Sequence, residues 1–196
     1  MLLEIVIARY QEDLDWSNHI GLPTRVYNKG PQPLQGAIDL PNTGREAHTY
    51  LHHIIARYDD LADCTLFLQG NPFVHGQGMS HHMGAMAFGG FTWLTDHRLF
   101  CDEHGMPSHG VKIPVGEVYS RLFTFPRKSF YFGAGALFAV GRELIHSRPQ
   151  RWWEDLLAMC ETDYADTYPW LLERLWVYLF CERLSLSGTS QHARAA

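Results

Sequence analysis

Apolar residues fill positions 2 to 8 almost without a break, in Leu2-Leu3-Glu4-Ile5-Val6-Ile7-Ala8, and the polar Tyr10-Gln11-Glu12-Asp13 follows at once. A short run rich in Ile and Val, closed by polar residues, is the pattern of a strand buried on both faces of a parallel sheet. A second strand centres on Arg25-Val26-Tyr27 and stops at Asn28-Lys29-Gly30, after which Pro31, Pro33, Gly36 and Pro41 punctuate a loop. Ala47, Tyr50, Leu51, Ile54, Ile55 and Tyr58 then recur at the spacing of one buried helix face. Thr43-Gly44-Arg45-Glu46 ahead of them fits a capping box, in which the Thr hydroxyl and the Glu carboxylate each satisfy the other's backbone N–H. A third strand, Cys64-Thr65-Leu66-Phe67-Leu68, ends at Gln69-Gly70-Asn71-Pro72. Strand, loop, strand, helix, strand is the rhythm of an α/β protein with a mostly parallel central sheet and flanking helices.

From Phe73 to about Gly90 the chain is rich in Gly, His and Met without a usable period, which predicts a long loop. Phe130 to Arg142, with Gly133 and Gly135 ahead of Leu137-Phe138-Ala139-Val140, reads as a Gly-hinged strand running into a short helix. Trp152, Trp153, Leu156, Leu157 and Cys160 make one further helical stripe, and Leu171, Leu172, Leu175, Trp176, Leu179 and Phe180 make the last. One domain is expected over residues 1–184, with a disordered tail over 185–196 that has nothing to bury.

Composition narrows the partners. With 46% hydrophobic residues in 196, the chain can hold a core without disulfides. No run approaches the roughly 20 apolar residues of a membrane span. A net charge of −5 offers no general grip on a phosphate backbone, so nucleic acid is not an expected partner. The first residues read as a strand rather than a leader peptide, and four scattered cysteines show no zinc-finger spacing; a cytoplasmic, reduced protein is expected. Thirteen of the sixteen basic residues are Arg, which suits planar recognition of phosphate or carboxylate in a small molecule.

Candidate chemistry gathers at strand ends. Nine of the twelve histidines fall between His48 and His109. At about 100° per residue, His48 and His52 share one flank of the first helix, with Glu46 and His53 on the other, so the three histidines do not meet on one ion. Half-exposed flanking side chains are the simpler reading; the alternative is a metal site built from His48, His52 and His75. Gln69, Asn71 and His75 follow a buried strand, where ligands collect in open α/β sheets. Arg9, just past the first strand, needs an anion or a carbonyl as partner. His81 and His82 fall in the Gly- and Met-rich loop. Glu173, between Trp170 and Trp176, sits at the edge of its apolar stripe, where it serves either as a general base or in an ion pair with Arg. The glycines at 133, 135 and 141 form neither a P-loop nor a dinucleotide fingerprint.

Six blocks in order carry a family resemblance: Ile7 to Trp16, Val26 to Gly30, Pro41 to Leu51, Phe67 to Phe73, Ala136 to Val140, and Glu173 to Trp176. Together they resemble the uncharacterised domain of unknown function 3431 family, over roughly residues 5 to 180. The layout is also similar to that of A-type-fold nucleotide-sugar glycosyltransferases: an acidic exit from the first strand, a mid-chain strand with polar end, and a Gly-Ala-Phe segment before a late carboxylate. That likeness implies a nucleotide-sugar or glycan substrate, with Arg9, Asn28, Lys29, Arg45, Glu46, Gln69 and Asn71 binding it and Glu173 and His75 in catalysis. Such transferases carry an Asp-x-Asp pair at the mid-chain strand end to hold a divalent ion. Here Gln69-Gly70-Asn71 brings no charge, so Arg and His would have to stabilise a leaving diphosphate. No cofactor is assigned, and a divalent metal stays open. A His-coordinated metal hydrolase or oxygenase, and a non-catalytic carbohydrate or metabolite binder, are the alternatives.

Overall fold

The computed structural model describes residues 1–76, 78–86, 88–106, 110–124 and 129–182. Its strands are β1 (Leu3–Arg9), β2 (Thr24–Asn28), β3 (Ile38–Asp39), β4 (Cys64–Gln69), β5 (Phe91–Trp93), β6 (Arg98–Asp102), β7 (Ser129–Gly133) and β8 (Phe138–Gly141). Its α-helices are α1 (Arg45–Ala56), α2 (Met79–Gly84), α3 (Val115–Leu122), α4 (Arg142–His146), α5 (Gln150–Asp163) and α6 (Tyr168–Cys181). Six strands form one sheet in the order β3-β2-β1-β4-β8-β5, and β6 and β7 form a separate antiparallel pair. The pairings among β1 to β4 are parallel, whereas β8 runs against both β4 and β5. β8 is therefore the one reversed strand of the main sheet. The result is the mixed α/β architecture with a mostly parallel sheet that the sequence rhythm predicts.

Alternation along the strands explains the layering. Val6, Ala8, Tyr27, Phe67, Phe138 and Val140 face a thick layer that includes residues of α1, α5 and α6. Phe138 is its hub, with ring centroids 5.1 Å from Phe67 and 5.2 Å from Trp176 and from Phe91. Ile5, Ile7, Leu66, Leu68 and Ala139 face the other way, under Trp16, Met79 and Met83. Trp16 lies on a short 3-10 turn, Asp15–His19, and the two Met on α2.

The structure corrects several expectations. The stretch read as a loop from Phe73 contains α2, too short at six residues to show a period. Phe130 to Arg142 is not one hinged strand: β7 and β8 belong to different sheets, and Gly135 at φ +81° turns the chain between them. Leu137 to Val140, expected to start a helix, lies in and beside β8. The capping box is absent, because α1 begins after Gly44 with no side-chain cap. His48 and His53 are buried, not half-exposed, because the flanks of α1 are wedged against neighbouring elements. The tail over 185–196 lies outside the described residues. All four cysteines are free, and no described helix is long and apolar enough to cross a membrane.

Candidate functional site

The chain visits β1, β2 and β3 in succession on one side, then returns through α1 to place β4 on the other side of β1. Where strand order reverses in this way, the loops leaving adjacent carboxyl ends diverge and leave a crevice. A cleft of about 440 Å³ opens there, lined by the ends of β1 and β4, the residue after β2, the first turn of α1 and the segment around His75. That is the size of a small-molecule site.

Of the residues singled out in the sequence, Arg9, Lys29, Arg45, Glu46, Gln69, Asn71 and His75 all line this cleft. Arg9 is nearly buried, with its guanidinium donating to the Glu12 carbonyl at 3.0 Å, Asn28 Oδ1 at 2.7 Å and the Gln32 carbonyl at 3.2 Å. Asn28 does not line the cleft; its amide donates to the carbonyls of Gly30 and Gln32 and to Asp39. It thus ties the exits of β1, β2 and β3 together from behind.

Lys29 is buried, and its Nζ donates to the carbonyls of Thr43 and Arg45, the latter at 2.7 Å. Burial pulls the ammonium pKa down to about 8, against the opposing charges of Glu46 and Glu161. Arg45 is the exposed cation of the lining: its side chain is 61% exposed, 3.7 Å from the Glu46 carboxylate and over the face of Trp170 at 5.9 Å.

Glu46, which lines the cleft together with Glu12, has a side chain only 11% exposed. Burial pushes its pKa up, and the nearby charge of Glu173 adds to the rise; its own backbone N–H, Arg45 and the Gln69 side chain pull the other way. Glu173 stands behind the lining. Its Oε1 accepts from the Gly135 N–H at 2.8 Å, and Gly135 in turn packs on His75, where a Cβ would fall 2.7 Å from the His75 Cβ. His75 is anchored through its carbonyl, which accepts from the buried Thr95 hydroxyl.

Sequence reasoning missed Tyr10, Glu12, Asn42 and Val74 in the lining. Their signal was proximity to strand and helix ends already identified. Glu12 accepts from the N–H groups of Tyr10 and Gln11 at 2.6 and 3.1 Å. A Cβ on Gly70 would fall 2.5 Å from the Glu12 carboxylate, and Trp16 Nε1 donates to the Gly70 carbonyl at 2.9 Å. Two contacts thus pin the end of β4 beside that of β1.

The histidine metal site is not assembled. His48 and His52 stack at 6.2 Å on α1, outside the cleft lining, whereas His75 stacks on His97 at 6.1 Å. Among the described residues no three His, Cys, Asp or Glu side chains converge on one ion position. His48 has Glu161 3.7 Å away, and burial, with Lys29 and His52 nearby, pulls its pKa down to about 4.

Fold and site together define a mixed α/β protein with a cleft at the carboxyl edge of its sheet, lined largely by charged and amide side chains. Residues 5–99 match the model of a family described as protein of unknown function (DUF3431). The whole lining of the cleft falls inside the matched residues, and Glu173 outside them. No curated protein and no solved structure matches the chain.

Proposed function

We propose that the cleft is the active site of a glycosyltransferase-like enzyme that takes a nucleotide sugar or a similar phosphorylated small molecule. The observation that carries this reading is the buried Glu46 carboxyl, with its raised pKa, at the strand-order reversal beside Arg45 and the first turn of α1. A carboxylate whose pKa is raised is a stronger base when ionised, and it can take a proton from an acceptor hydroxyl as the new bond forms. Arg45, exposed at the rim, pairs with the phosphate groups, and the positive end of α1 adds to the attraction. Arg9 contributes positive potential while tied to carbonyls, and His75, also in the lining, donates to the leaving group. Gln69 orients the Glu46 carboxyl. Glu46 therefore takes the base role that the resemblance gives to Glu173, and Glu173 supports the wall through Gly135.

The test is a thermal-shift panel of nucleotide sugars with product analysis by mass spectrometry, on the native chain and on Glu46→Gln. A nucleotide sugar at about millimolar concentration is expected to raise the melting temperature of both chains, with product formed only by the native one. Binding without product across a range of acceptors would leave a non-catalytic carbohydrate or metabolite binder. No shift with any nucleotide sugar would overturn the substrate class.

A further inference from the structure

The start of α1 is built in a way that helix formation does not explain. Helices commonly begin with a side-chain acceptor on an extended residue. Here Gly44, at φ +60°, offers none, and Arg45 follows at φ +48°. Left-handed backbone at a long side chain is disfavoured and persists only where its surroundings hold it. Two contacts do so. On one side the Lys29 ammonium gathers the carbonyls of Thr43 and Arg45, the residues flanking Gly44, while the Gly44 carbonyl itself turns into the helix to accept from the His48 N–H at 3.1 Å. On the other, the Tyr168 hydroxyl presses on Gly44 where a Cβ would lie 1.4 Å away.

The sequence encodes a competing start. Thr43 and Glu46 have capping-box spacing, and in that arrangement the Glu46 carboxylate would reach back to the Thr43 N–H. In the structure the Thr43 N–H donates to the Pro41 carbonyl, and Glu46 meets Gln69 at the cleft. The two starts exclude each other, because a capping box at Thr43 needs right-handed helical backbone at Gly44 and Arg45, and here both are left-handed and the Thr43 N–H is already given to Pro41.

We propose that Lys29 is a positioning residue: by binding the Thr43 and Arg45 carbonyls together it holds the left-handed turn that delivers Glu46 to the cleft, and it does not itself bind ligand. Two of the three ammonium protons already have protein acceptors, on a residue that is 7% exposed. Only the catalytic consequence rests on the reading of Glu46 as the base; the local geometry stands apart from it.

The experiment is solution NMR of the full chain and of Lys29→Met, without ligand and with inorganic pyrophosphate as probe. In Lys29→Met the amide signals of Gly44, Arg45 and Glu46 are expected to move and their hydrogen exchange to speed up by about tenfold or more, with β1 and β4 amides unchanged. Adding Thr43→Ala to that variant, which removes the competing cap, should move the Glu46 signals a second time. Unchanged Gly44 to Glu46 amides in Lys29→Met would overturn the proposal, and so would the loss of pyrophosphate binding with those amides in place. Should Lys29→Met fail to fold, the native chain still decides. Its Lys29 ammonium protons are expected to exchange slowly and to keep their shifts with pyrophosphate present, and a rapidly exchanging ammonium would refute the clamp. Failure of pyrophosphate to bind the native chain counts against the proposed function alone, since the amide signals need no ligand.

Discussion

Acid should unfold this protein through His53. The side chain is fully buried against β2 and β4, with Nδ1 3.1 Å from the Tyr27 hydroxyl and its ring 5.8 Å from Phe67. Burial above all, then the positive charges of Arg25 and Arg57 and the neighbouring His52, hold its pKa down at about 3. Glu4 Oε2 is 3.5 Å from Nε2, but Glu4 is already paired with Arg25 at 3.1 Å, so it offsets little of the burial. In the unfolded chain the same imidazole titrates near 6.5. A base whose folded pKa is depressed stays neutral in the fold while the unfolded chain takes up the proton, so its contribution is intact above about pH 6.5 and is lost as the pH falls toward 3. At 1.36 kcal/mol per pH unit the full loss is about 5 kcal/mol, of which about 2.5 falls between pH 6 and 4. Against a total of roughly 5–15 kcal/mol that is decisive. His53→Gln keeps a partner for Tyr27 and removes the titration. Urea unfolding of both chains at pH 7, 6, 5 and 4 should show the native chain losing stability faster, the gap changing by about 2.5 kcal/mol between pH 6 and 4. His48 acts in the same direction in both chains and cancels. Parallel curves would refute the reasoning, and would mean that Glu4 stabilises the imidazolium as well as water does.

Three substitutions test the frame of the cleft. Gly44→Ala places a methyl against Tyr168 in left-handed backbone, and should cost about 2 kcal/mol or more in urea unfolding. Trp16→Phe keeps the ring over the thin face but drops the N–H that holds the Gly70 carbonyl; a loss of about 1 kcal/mol is expected, with faster amide exchange at Gly70 and Asn71. Phe138→Ala empties the hub of the aromatic layer and should cost about 3–5 kcal/mol, read as a lowered melting temperature.

What could be read from the residues followed element length. β1 and β4, together with α1, α5 and α6, were legible because each carries a full apolar run or stripe, and β2 because Asn28-Lys29-Gly30 closes its Val26-Tyr27 pair. β5 has three residues and α2 six, too few for a period to repeat. The burial of His48 and His53 was hidden for a different reason. A helical wheel places them on flanks, and a flank is exposed only where nothing packs beside it; here Tyr27 and Phe67 close on His53, and Glu161 of α5 stands next to His48. The gathering of Arg9, Arg45, Gln69 and His75 in one cleft follows from strand ends sharing an edge, which the α/β rhythm implies. That Glu46 faces the cleft depends on the left-handed turn at Gly44 and Arg45, and that Glu173 backs its wall depends on the path of residues 134–136; no local pattern reveals either.

The reversal of β8 reaches further than hydrogen bonding. β5 finishes, and β8 starts, at the same rim that bears the cleft. Everything between Trp93 and Phe138, with the paired ribbon of β6 and β7 and helix α3 inside it, is one excursion that leaves the rim and comes back to it. That excursion is no free loop: Cys101, Ile113, Val118, Tyr119, Phe130 and Phe132 within it are buried in the same core as α6, so the rim is anchored to that layer through its interior as well as through its two ends.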